Sequence, residues 1–159
     1  MSVWKRGVLA FVGAFMGLAV IGAPAASAGE TASVKERADK IMNLSYKKFA
    51  KADHSKPFDW RNNGCSSPLP YTPFQEVFRR ACNQHDFGYR NYGSATKGGL
   101  KLSPTRATKN RIDGKFALEL KRTCEDTYAV WNPQRHACLT AGGGYYTAVS
   151  HGGDGHFFK

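Results

Sequence analysis

Acid is scarce in this chain, and apolar runs are scarcer. Only 12 Asp and Glu stand against 23 Lys and Arg, a formal net charge of +11. Such a surface attracts anions in general, whether nucleic acid, lipid headgroups or cell-wall polymers, and charge alone does not choose among them. One stretch near the start is strongly apolar, and nothing after it is long enough to cross a bilayer. No repeat or low-complexity block occurs, so the chain reads as one globular unit. Four cysteines are present, and no second Cys-x-x-Cys pair answers Cys82-x-x-His85, which argues against a tetrahedral zinc site. A Gly-x-Ser-x-Gly elbow is also missing, which weakens a serine-hydrolase reading.

What is present begins with a basic start, Met1 to Arg6, followed by an almost wholly apolar run from Gly7 to Ala23 and the small-residue exit Ala26-Ser27-Ala28. This pattern predicts a secretory signal over residues 1–28, the competing reading being a membrane anchor. Residues 29–159 then form a single domain, two charges less basic once Lys5 and Arg6 are removed. In an exported chain four cysteines make two disulfides the default, with three connectivities open.

Apolar spacing predicts an all-α domain. Val34, Ala38, Ile41, Met42, Tyr46 and Phe49 mark an amphipathic helix over residues 33–52, with Glu36 early and Lys47, Lys48 and Lys51 late, as the helix dipole favours. Residues 53–73 carry Asn62-Asn63-Gly64 and four prolines, and read as a turn-rich loop. A second helix is expected from residue 73 or 74 to 92, with Pro73 at its start. Gly93, Gly98, Gly99 and Pro104 break it, and a third runs over residues 107–127, giving an antiparallel pair. After Asn132-Pro133, residues 138–150 read as a short helix weakened by Gly142, Gly143 and Gly144. The glycine-rich residues 151–159 are expected to be loose.

Two of these helices carry an anomaly. Phe74, Val77, Phe78, Ala81, Gly88, Tyr89 and Tyr92 lie within roughly 80° of His85 around the helix, so an imidazole sits in the middle of the buried face. On the next helix Phe116, Ala117, Leu120 and Cys124 lie within about 60° of Asp113, which places a carboxylate in a core face as well. Burying an unpaired ionisable group is costly, and these two can satisfy each other. A buried Asp that accepts one imidazole N–H fixes the tautomer and leaves the other nitrogen free as a base.

Cys82 lies one turn before Asp86 on nearly the same side of the helix. If Cys82 pairs with Cys65, the Asn63-Gly64 turn is pinned beside the Asp86 carboxylate, and the resulting all-oxygen cluster suits calcium. His85 would then take a proton from water while the cation stabilises an oxyanion, which is ester hydrolysis without a nucleophilic side chain.

These residues resemble the secreted phospholipases A2 of bacterial and fungal type. The resemblance rests on Phe58-Asp59-Trp60, the Cys65 to Cys82 spacing, Ala81-Cys82-x-x-His85-Asp86-Phe87-Gly88-Tyr89-Arg90-Asn91-Tyr92, Asn110-Arg111-Ile112-Asp113, and Cys124 with Cys138. It covers most of the chain after the leader. It implies a small, disulfide-stapled, all-α domain whose two long antiparallel helices carry the active site, acting by calcium-dependent hydrolysis of the sn-2 ester of glycerophospholipids. It further implies that His85 is the general base, that Asp113 orients it, and that Cys65 joins Cys82 and Cys124 joins Cys138. Calcium ligands by the same resemblance are the Asp86 carboxylate, the Gly64 carbonyl and a side-chain oxygen at position 63. That position holds Asn where the bacterial pattern has Asp, which removes one negative charge and lowers the expected affinity.

Arg90, one turn beyond Asp86, is a candidate for a lipid phosphate. Trp60, Phe87, Phe157 and Phe158 are candidates for a lipid interface, Trp60 more as core, and Lys97, Lys101 and Arg106 for anionic headgroups. The expected substrate is phospholipid in membranes or micelles; the protein is expected to be a secreted monomer that does not bind nucleic acid. The competing reading is a basic membrane- or cell-wall-binding protein on the same scaffold with little catalysis. Retention of both His85 and Asp113 argues against it, since apolar replacements would stabilise such a scaffold.

Overall fold

The computed structural model describes Met1, residues 26–65 and residues 74–159. Most of the expected leader, and Pro73 at the expected helix start, lie outside the described residues. Among the described residues the chain is all-helical: α1 (Ala26–Met42), α2 (Tyr46–Phe49), α3 (Gln75–Tyr92), α4 (Arg106–Thr127), α5 (Pro133–Gly152) and α6 (Asp154–Phe157). None of these helices is long and apolar enough to cross a membrane.

The expected single helix over residues 33–52 is two helices. Ser45 leaves helical geometry and accepts the Lys48 N–H, so α2 starts with its own cap. Buried Gln84 donates its amide to the carbonyls of Met42 (3.1 Å) and Leu44 (2.8 Å) and so satisfies acceptors that a continuing helix would have used. The Tyr46 N–H donates to fully buried Glu119 at 3.0 Å, which ties α2 to α4. Amphipathic spacing persists through such a break, which is why the sequence reads as one helix.

Helices α3 and α4 run antiparallel, with the His85 ring tilted against Phe116 (4.6 Å) and Gly88 against Ile112. A Cβ at Gly88 would stand 2.7 Å from the Ile112 side chain, so only glycine allows this approach. Helix α5 runs unbroken through its three glycines, contrary to the short helix expected at 138–150. Asn132 caps it, Pro133 opens it, the Cys124–Cys138 disulfide anchors it, and Gly142 sits against Leu120 and Phe78. The local cost of glycine, about 1 kcal/mol per residue, is outweighed by packing and the covalent tie.

The 154–159 segment, expected to be loose, is packed. It forms α6 and buries Phe157 completely. Phe157 and Phe87, expected as candidates for a lipid interface, are both core residues at 0% and 1% exposure. Trp60 is partly buried on the same cluster, 4.7 Å from Phe87, with His54 stacked on its other face.

Candidate active site

The α3–α4 pairing brings His85 and Asp113 together. His85 Nε2 and Asp113 Oδ1 are 2.9 Å apart, with the residues 7% and 2% exposed. The carboxylate has two further donors: the Tyr89 hydroxyl reaches Oδ1 at 2.8 Å and the Lys109 ammonium reaches Oδ2 at 2.7 Å. Burial alone would raise the Asp113 carboxyl. The hydrogen bonds from His85, Lys109 and Tyr89 outweigh it and hold the group below the ordinary carboxylate value. Tyr89 is shifted upward by burial and by its bond to Asp113, so it stays a donor at any working pH.

Lys109 and the donor role of Tyr89 were not read from the sequence. Both were within reach of it, since Tyr89 lies four residues after His85 and Lys109 four before Asp113, so each shares a helix face with its neighbour. Lys109 is fully buried and also donates to the Val149 carbonyl at 2.9 Å, near the end of α5. Lys109 Nζ thus meets one Asp113 oxygen while the imidazole meets the other.

With Nε2 committed to Asp113, Nδ1 is the ring nitrogen available to the cavity that His85 lines. That cavity has a volume of about 800 Å³. Phe116, Tyr145 and Val149 give it apolar wall, while Arg61, Arg90, Lys97 and Lys159 make its lining strongly basic. Arg90 is half-buried there. Of the other expected headgroup contacts, Lys101 is exposed, and Arg106 is engaged by Asp154 through two contacts of 2.5 and 2.6 Å.

Asn63, Gly64 and Asp86 line the same cavity. Two ties bring this turn there. Buried Asn91 on α3 accepts the Asp59 N–H at 2.9 Å and donates to the Asp59 carbonyl at 2.9 Å, so it pairs with that loop as a strand would. The Cys65–Cys82 disulfide then fixes the far end of the turn to α3. Between them Gly64 adopts the left-handed φ of 64°, which glycine tolerates without strain. Asp86 accepts the Asn63 backbone N–H at 3.0 Å. Burial nevertheless raises the Asp86 carboxyl above its ordinary value, against the lowering effects of that N–H, His85 and Arg90. Among the described residues no cluster of three or more His, Cys, Asp or Glu is placed to hold a metal. Only Asp86 in this trio is charged; the other oxygens are carbonyl and amide.

A small all-helical domain, stapled by two disulfides and holding a buried imidazole–carboxylate pair at the wall of a part-apolar cavity, is the class defined by this fold and site. The prokaryotic phospholipase A2 family matches residues 38–153, and the chain belongs to that family. It is also similar to two fungal proteins, each named "Secretory phospholipase A2". The one from Arthroderma benhamiae (strain ATCC MYA-4681 / CBS 112371) is 30% identical over 136 residues, 84% of this chain and 86% of the relative. The one from Beauveria bassiana (strain ARSEF 2860) is 28% identical over 105 residues, 66% of this chain. That match spans about half of the Beauveria protein, 49% of its length.

Proposed function

We propose that this chain is a secreted, calcium-dependent phospholipase A2 that hydrolyses the sn-2 ester of glycerophospholipids with a water activated by His85. The observation that carries the reading is the His85–Asp113 pair: one ring nitrogen is held by a carboxylate that is itself triply hydrogen-bonded, and the other is left to a lipid-sized cavity. His85 Nδ1 takes a proton from water as the water oxygen bonds to the ester carbonyl carbon. Asp113 stabilises the imidazolium so formed. Collapse of the tetrahedral adduct breaks the bond to the glycerol oxygen, which takes the proton from Nδ1 and leaves as lysophospholipid. The fatty acid is the other product, and His85 returns to its starting state.

Calcium is assigned to Asp86, the Gly64 carbonyl and the Asn63 side-chain oxygen. The donor chemistry fits: the oxygens are hard, and the Asp86 carboxylate is destabilised by burial in a way that a cation would relieve. One formal charge instead of two makes this a weak site. When bound, calcium supplies positive charge to the ester carbonyl oxygen as it becomes anionic. Arg90, half-buried on the cavity wall, is assigned to the substrate phosphate. Secretion is supported by the leader pattern of residues 1–28 and by the names of the fungal relatives. The working form is assigned as a monomer acting on membranes or micelles, without nucleic acid.

The decisive experiment is fatty-acid release from vesicles labelled separately at the sn-1 and sn-2 chains, with millimolar calcium and with chelator. Release of the sn-2 label only, lost in chelator, is the expected result. Release of the sn-1 label would overturn the regiochemistry, undiminished release in chelator the calcium role, and no release at all the catalytic reading.

A further inference from the structure

The family match ends at Gly153, yet Asp154 and Phe157 beyond it contact the side chains that donate to Asp113. Phe157 is 0% exposed and sets its ring edge-on to Tyr89 at 5.1 Å. Its carbonyl accepts the N–H groups of Ser94 (2.8 Å) and Ala95 (3.3 Å), just beyond the end of α3. Asp154 pairs with Arg106 through both carboxylate oxygens and stands 3.6 Å from the Lys109 ammonium. The Arg106 guanidinium in turn lies over the Phe158 ring at 4.8 Å. At Gly153 itself a Cβ would meet the Tyr89 hydroxyl at 2.5 Å, so the backbone passes against the phenol.

These contacts converge on Tyr89 and Lys109, the two side chains besides His85 that donate to Asp113. None is made to Asp113 directly. The Tyr89 ring thus contacts both the His85 ring, at 4.2 Å, and the Phe157 ring. A lysine has four carbons of rotamer freedom, and Lys109 is kept extended by the Val149 carbonyl, Asp113 and the nearby charge of Asp154. Catalytic geometry tolerates errors of only about 0.5 Å, so what locks these two donors matters as much as the donors themselves.

We propose that residues 154–159 form a positioning clamp for the His85–Asp113 pair, with Phe157 and Asp154 as the positioning residues. Phe157 fills the space behind Tyr89 and keeps its hydroxyl on Asp113; Asp154 anchors the segment on Arg106 and steadies Lys109. The activity part of the test rests on the phospholipase reading given above. The structural part does not.

The test uses the full chain and two readouts: steady-state hydrolysis of a short-chain, monodisperse phospholipid, and the downfield imidazole Nε2–H proton resonance of His85, assigned by its loss in Asp113→Asn. Phe157→Ala is expected to lower kcat about 10-fold or more, with little change in KM, and to broaden or remove the resonance while the helical signal persists. Phe157→Leu, which refills the space, should restore most of both. Asp154→Asn removes an exposed partner and should fold; it is expected to lower kcat about threefold. Should Phe157→Ala fail to fold, Asp154→Asn and Phe157→Leu decide: wild-type kcat in Asp154→Asn, or a loss in Phe157→Leu as deep as that of His85→Ala, overturns the clamp. A folded Phe157→Ala with wild-type kcat and an undisturbed resonance also overturns it. Should the wild-type protein release no fatty acid, the phospholipase reading fails and the resonance alone judges the clamp, its loss in folded Phe157→Ala supporting it and its persistence refuting it.

Discussion

Two carboxylates stand next to His85, Asp113 buried against its ring and Asp86 following it in the chain at the cavity wall, and their surroundings differ in kind. Asp113 sits between two long helices, with Nε2 of His85, the Tyr89 hydroxyl and the Lys109 ammonium all directed at it, and its carboxyl is held low. Asp86 faces a loop, accepts one backbone N–H among the described residues, and is raised by burial. The first is a finished electrostatic site: ionised Asp113 is what the fold stabilises. At the second, ionised Asp86 is tolerated at a cost, which is the condition under which a cation gains most by binding. The fold itself gives Asp113 three donors, whereas Asp86 fits the cation assigned to it above.

The largest expected effect breaks the Asp86 side. Asp86→Asn should abolish calcium-dependent fatty-acid release, since the only charged ligand is gone; release that still rises with calcium would show that the cation binds elsewhere. Next, His85→Ala and Asp113→Asn should each lower turnover about 10²-fold or more, the usual scale for losing general-base catalysis. Near-normal activity in either folded variant would rule out the assignment. Asp113→Asn should also destabilise the fold by about 3 kcal/mol, because the buried Lys109 ammonium loses its anion at 2.7 Å and keeps only Asp154 at 3.6 Å, as denaturant titration would reveal.

The sharper test moves charge into the weak side. Asn63→Asp should lower the calcium concentration for half-maximal activity while changing turnover at saturating calcium far less. An identical midpoint would mean that Asn63 serves only its turn.

The smallest effect is the most diagnostic of the contrast, because it has opposite signs at the two carboxylates. A raised folded value means that the native state holds its proton more tightly than the unfolded state, so Asp86 in chelator should cost stability as pH rises from the ordinary carboxylate value of about 3.9 through its own. A lowered folded value means the reverse: the stability that Asp113 contributes is present above that ordinary value and is lost as pH falls through its own. Thermal unfolding in chelator between pH 2 and about pH 7 should therefore show Asp86→Asn matching or exceeding wild type at neutral pH, the gap closing on acidification. A neutral-pH loss in Asp86→Asn would contradict the strain assigned to that side.

Much of this contrast was legible in the order of residues. Helical spacing put His85 and Asp113 on core faces, where ionisable groups need partners, and the structure has them 2.9 Å apart. Lys109 was overlooked because periodicity reports which face is buried and not which atoms meet across it. The break at Ser45, the unbroken α5 and the packed 154–159 segment were misread for a related reason. Local preference favours one helix, a weak helix and a loose tail respectively, and in each case a distant group reversed the balance: Gln84 and Glu119 at the break, the Cys124–Cys138 tie at α5, and Tyr89 beneath Phe157.

The chain by itself determined the two amphipathic faces, the polar intruders within them and the cysteines at each end, because side-chain order along a helix is a local matter set by a fixed period. Only the tertiary structure decided the electrostatic state of the two carboxylates. Whether a buried charge is welcomed or strained depends on donors brought from elsewhere in the fold, Lys109 and Tyr89 in one case and, among the described residues, the Asn63 N–H in the other. No spacing within one element encodes that sum, since it arises from distances between residues far apart in the chain.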